Sequence, residues 1–202
     1  MNDWLLNEQG GGCDNNHVPA DIYAIGFQEI VDLNAINVAL DNRKTQSRGV
    51  FWSEKIINCL QNVGCYTMIC EKHLVGLLLC IFAKKTLVNK INDVRTCSTG
   101  VGIMGVLGNK GGIGVSMNIY DSNVCFISSH LAAHTENVEG RNLDYKNIIE
   151  RSVFPSDNDG FESEQNGSRS LDDVSYSIFI VFFSLHFYYH SSSICLFILI
   201  FS

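Results

Sequence analysis

Apolar positions along the first three quarters of the chain fall into short β-like runs separated by stretches of helical spacing. The run DIYAIGF, residues 21–27, is β-prone and short enough to be one buried strand delivering Gln28 and Glu29 to its C-terminal end. From Glu29 the apolar residues Ile30, Val31, Leu33, Ile36, Val38 and Leu40 mix helical spacing with asparagines, which predicts an irregular helix. RGVFWSEKIINCLQ, residues 48–61, places Phe51, Trp52, Lys55, Ile56 and Cys59 at helical spacing and predicts an amphipathic helix. Residues 65–85 predict two strands across a turn near Glu71 to His73, and Lys90 to Cys97 predict another. A glycine-dense loop spans 98–112. Two further strands, GIGVSMNIY and NVCFISSH, are joined at Asp121-Ser122 as a hairpin. EGRNLDYKNIIERSVF, residues 139–154, is an amphipathic helix carrying Leu143, Ile148 and Ile149. Paired short strands with helices between them predict an α/β (α+β) sandwich with a mixed sheet, not a doubly wound parallel one.

Beyond Phe154 the pattern changes. Residues 155–173 are polar, acidic and rich in Ser, Asn and Gly, as in a linker. Residues 174–202 contain no Asp, Glu, Lys or Arg and hold two apolar runs, YSIFIVFFSLHFYY and ICLFILIFS. The chain therefore divides into an N-terminal segment and loop (1–19), a folded body (20–154), an acidic linker (155–173) and an uncharged tail (174–202). Twenty-nine uncharged residues are long enough to span a bilayer. The histidines and serines inside that run, and the lack of flanking basic residues, fit an anchor poorly. An evolved anchor, a buried C-terminus and a gene-model artefact are the three readings of this tail.

Charge changes the picture in one respect. Of the formal net charge of −7, the residues up to Ser152 contribute −2 (13 basic against 15 acidic) and the remainder −5 (one against six). The body is near neutral and lacks the broad basic face of a nucleic-acid binder, so an anionic ligand requires a local cluster of donors. The eight cysteines form no CxxC and no zinc-finger spacing, which predicts free thiols in a reducing compartment.

Three places carry candidate chemistry. Glu29 ends a buried strand, where a carboxylate is either a hard-cation ligand or an acid favoured by a helix N-terminus. Asn109 and Lys110 lie in GNKGG, either a phosphate-approaching loop or a glycine-rich turn; the spacing is not that of a P-loop. His130 closes the strand VCFISSH beside Ser128 and Ser129, suited to a phosphoryl oxygen or proton transfer, or to a structural role. His134 reads as a surface loop residue.

In their order and spacing, DIYAIGFQEIVDLNA, LVGLLLCIFAKK, TGVGIMGVLGNKGGIGVSM, CFISSHLAAH and EGRNLDYKNII resemble the inositol polyphosphate 5-phosphatases, in particular the type II and synaptojanin-like members. The resemblance covers residues 20 to 152. It implies the DNase I-like endonuclease/exonuclease/phosphatase fold, incomplete here, and Mg2+-assisted hydrolysis of an inositol 5-phosphate on a phosphoinositide or a soluble inositol polyphosphate. It also implies a cytoplasmic protein peripheral to membranes, working at a membrane surface and not on nucleic acid. Carried over by position, Glu29 matches the metal ligand, His130 the catalytic histidine at the scissile phosphate, and Asn109 and Lys110 the pair that contacts a second phosphate. Arg141 and Asn142 match a recurrent pair to which no chemistry is assigned. The family's opening TWNVNG strand and its WxGDxNYR, PAWCDR and SDH segments have no match in this sequence. The chain alone is therefore expected to have no phosphatase activity, leaving a phosphoinositide-binding module as the alternative.

Overall fold

The computed structural model describes residues 19–31, 42–102, 110–155, 169–171, 178–183 and 196–201. Its elements are β1 (Ile22–Phe27), α1 (Asn42–Leu60), β2 (Tyr66–Leu74), β3 (Leu77–Lys84), β4 (Ile91–Gly100), β5 (Gly111–Ile119), β6 (Ser122–His130), α2 (Val138–Arg151), β7 (Val153–Phe154), β8 (Arg169–Ser170), β9 (Ile178–Phe183) and β10 (Leu196–Phe201). One sheet has the order β10-β1-β3-β2, the second β4-β5-β6-β9, and β7 pairs with β8. The first sheet is antiparallel throughout. The second is mixed, because β9 runs parallel to β6.

The two sheets pack face to face, and alternation along each strand decides what lies between them. Ile22 and Ala24 of β1 join Leu77, Leu79, Ile81 and Ala83 of β3 on one side. Ile113, Val115 and Met117 of β5 join Val124 and Phe126 of β6 on the other. The opposite parity of β1 (Tyr23, Ile25, Phe27) packs with Leu78, Cys80 and Phe82 against Ile56, Cys59 and Leu60 of α1. Each such fully buried aliphatic or aromatic side chain stabilises by about 1.5–3 kcal/mol. α2 covers the outer face of the second sheet through Ile148, which packs with Val101 and Leu131, and Ile149 beside Cys125 and Ile127. The layers are helix, sheet, sheet, helix, as the mixed-sheet sandwich expectation required.

Several local expectations shift. The hairpin turn falls at Val75-Gly76, not at Glu71 to His73; Gly76 supplies the left-handed conformation (φ 72°) that the turn needs. Glu71 and His73 are strand residues that pair with each other, His73 Nε2 lying 2.7 Å from Glu71 Oε1. That hydrogen bond, more than any other factor, holds the Glu71 carboxyl below its usual range. α1 begins at Asn42, earlier than its apolar stripe suggests. α2 stops at Arg151, because Ser152 turns extended and hands Val153–Phe154 to β7. Gly111 and Gly112 open β5 instead of belonging to a loop. The irregular helix expected after Glu29 lies almost wholly outside the described residues.

Backbone from the uncharged tail is paired in both sheets. β10 lies antiparallel on β1, and β9 parallel on β6. Both β1 and β6 are thereby flanked on two sides. Among the described residues, no helix is long and apolar enough to cross a membrane. Cys65, Cys70, Cys80 and Cys97 are free thiols, the last two buried. Burial is the main reason that the Cys97 thiol is pushed up to about 11.

Candidate phosphate-binding site

The inter-sheet layer changes character along β1 and β6. In β1 the residues facing the second sheet run Ile22, Ala24, Gly26, and in β6 the facing residues run Val124, Phe126, Ser128, His130. Gly26 is needed here for close approach: a Cβ on it would meet Ser128 Oγ at 2.9 Å. One step further, the fully buried Gln28 reaches across the layer and donates from Nε2 to the carbonyl oxygen of Ser129 at 2.5 Å. This bond joins the residue before Glu29 to the residue before His130.

Glu29 has φ 54°, in the left-handed region that non-glycine residues seldom occupy. Continued extension would send it to the α1 side with Tyr23, Ile25 and Phe27. The left-handed turn instead brings its carboxylate Oε1 to 3.5 Å from His130 Nε2. Such strain costs on the order of 1–3 kcal/mol and is characteristic of functional positions.

Lys110 sits immediately before β5, opposite the end of β6, where Gly111 pairs with His130. Its Nζ lies 2.5 Å from His130 Nε2. Which of the two nitrogens donates depends on the imidazole tautomer. The same nitrogen faces Glu29 Oε1 at 3.5 Å, a longer contact than the one to Lys110. Burial lowers the Lys110 pKa, opposed by the negative charges of Glu29 and Asp144. His130 is buried, at 2% exposure, whereas Glu29 keeps 29%. The group is thus accessible from the carboxylate side.

Of the four residues singled out from the sequence, Glu29, Lys110 and His130 converge. Asn109 lies outside the described residues. Sequence reading missed two contributors. Gln28 carries a visible signal, a polar residue continuing the inward parity of an apolar strand. Asp144 does not, because its partner is a backbone amide: Oδ2 accepts from Ala132 N at 2.8 Å. Arg141, whose role was left open, donates from its guanidinium to the carbonyls of His134 and Thr135.

The model of endonuclease/exonuclease/phosphatase family 2 matches residues 1–192. Human synaptojanin-2 is 35% identical over 159 residues, which are 77% of this chain and 10% of that protein. The mouse type II inositol 1,4,5-trisphosphate 5-phosphatase is 34% identical over 135 residues, 67% of this chain and 13% of that protein. The chain thus spans about a tenth of the length of the curated relatives it matches. Among solved structures, the inositol polyphosphate 5-phosphatase domain of SPsynaptojanin, in complex with inositol (1,4)-bisphosphate and a calcium ion, superposes with a TM-score of 0.60. It is 30% identical, over 76% of this chain and 41% of that one. The chain belongs to endonuclease/exonuclease/phosphatase family 2, on the side of its synaptojanin and type II inositol polyphosphate 5-phosphatase members.

Proposed function

We propose that this chain carries the phosphate-binding part of an inositol polyphosphate 5-phosphatase domain, the activity of the whole domain being Mg2+-dependent removal of the inositol 5-phosphate. The observation that carries this reading is the convergence of Lys110, His130 and Glu29 at the joined ends of three strands. The Lys110 amino group, held 2.5 Å from His130 Nε2, is placed to exchange that contact for a phosphate oxygen, a stronger partner. His130, once protonated, adds a second donor to the same anion. Its burial keeps water away from that contact and strengthens it.

Glu29 suits Mg2+ as one hard oxygen ligand. Among the described residues no group of three or more His, Cys, Asp or Glu gathers to hold an ion, so Glu29 supplies one ligand of a partial set. When bound in a whole domain, the metal would polarise the phosphoryl group. The described side chains fill binding and orienting roles, which favours a phosphoinositide-binding module without turnover as the activity of this chain by itself. The ligands of this reading are a phosphoinositide at a membrane surface or a soluble inositol polyphosphate, met in the cytoplasm.

The test pairs inositol 1,4,5-trisphosphate calorimetry with phosphate release from vesicles containing PI(4,5)P2. The expected result is saturable binding with no Mg2+-dependent release. Release that requires Mg2+ and disappears in Glu29→Ala would overturn the binding-only reading and establish the chain as an enzyme. Absence of binding would overturn the site.

A further inference from the structure

The segment after His130 is held to α2 at three backbone groups. Asp144 Oδ2 accepts from Ala132 N at 2.8 Å. One turn earlier, Arg141 Nη2 donates to Thr135 O at 2.8 Å and Nη1 to His134 O. Asn137, the helix cap, accepts from Gly140 N at 3.2 Å, so the segment is also tied where it enters the helix. Between these attachments His134 is held at φ 75°, a conformation an unrestrained histidine would rarely keep. A carboxylate here has an electrostatic disadvantage. Asp144 and Lys110 act on each other's charge, so Asp144 also repels an anion arriving at Lys110. Its geometry shows what offsets that disadvantage.

We propose that Asp144 is a positioning residue for phosphate binding: by anchoring the amide of Ala132, two residues past His130, it fixes the end of β6 and hence the imidazole against Lys110. Arg141 completes the clamp from the same helix face. The inference rests on the reading that Lys110 and His130 bind a phosphate, and it gives the first and fourth members of the RNLD segment, Arg141 and Asp144, a common purpose.

Charge and position predict opposite signs, which makes the proposal testable with inositol 1,4,5-trisphosphate calorimetry on the full chain. Asp144→Asn keeps an oxygen acceptor for Ala132 and removes the charge. Asp144→Ala removes both. Positioning predicts that Asp144→Asn binds as tightly as the parent or more tightly, and that Asp144→Ala binds about tenfold more weakly, the scale of one lost hydrogen bond. Both variants binding as tightly as the parent or tighter would overturn it, because charge alone would then explain Asp144. Both variants binding weakly would overturn it too, since rescue by the isosteric amide is its signature. Should Asp144→Ala not fold, Arg141→Gln, which removes the clamp's other half, is expected to weaken binding several-fold, and unchanged affinity would count against the clamp. If the parent chain binds no trisphosphate, the phosphate reading fails separately. The ring resonances of His130 then decide: a shift in Asp144→Ala (or Arg141→Gln) but not in Asp144→Asn upholds the clamp, and no shift in any variant overturns it.

Discussion

The two ends of the layer between the sheets are built by the same strands yet do opposite things. At one end Ile22, Ala24, Val124 and Phe126 exclude water and form the core. At the other, Gly26, Gln28, Ser128 and His130 continue the same alternation with polar or minimal side chains. At the polar end Gln28 Oε1 and Ser128 Oγ are buried without a hydrogen-bond partner. Each such atom costs about 1–3 kcal/mol. The site is an extension of the sandwich interior, with its rigidity drawn from the apolar end and a left-handed residue, Glu29, at the polar one.

The comparison presumes that β1 and β6 are interior strands, and the broadest way to break it is to remove their outer partners. A chain ending at Asp173 loses β9 and β10 and leaves both strands open along one edge. Loss of cooperative melting and a tendency to aggregate are expected. A sharp, reversible transition at the parent temperature would show that the tail strands contribute nothing. Within the apolar end, Phe126→Ala should cost about 3–5 kcal/mol, as for large-to-small changes at fully buried sites. Urea unfolding measures it, and a loss under ~1 kcal/mol would contradict the core assignment. At the boundary, Gly26→Ala should cost about 1–3 kcal/mol through the 2.9 Å approach to Ser128 Oγ. Adding Ser128→Ala should recover part of that loss, because the next atom met is Ser128 Cβ at 3.4 Å. An equal loss in the double variant would place the strain elsewhere.

How much of this was legible in the sequence follows the same division. Short β-prone apolar runs exposed β1, β5 and β6, and strand-end position exposed Glu29 and His130, because both signals are local. The turn at Val75-Gly76 was misplaced because Glu71, Lys72 and His73 read as turn residues; within the fold Glu71 is instead met by His73 on β2 and by Ser53 on α1. The role of Asp144 was invisible, since a side chain that bonds a backbone amide leaves no mark on its partner's identity. The left-handed turn at Glu29 was equally hidden: a glutamate announces nothing about its φ, and only the finished sandwich forces it.

Lys110→Ala tests the central claim, that the polar end is a binding site carried by an independently stable core. Trisphosphate calorimetry and thermal melting are measured on the same samples. Affinity is expected to weaken by about 10- to 100-fold, the scale of a charge-assisted hydrogen bond, with the melting temperature unchanged or raised, since Lys110 sits against a burial penalty. Unchanged affinity, or a loss of affinity that merely tracks a fall in stability, would contradict it.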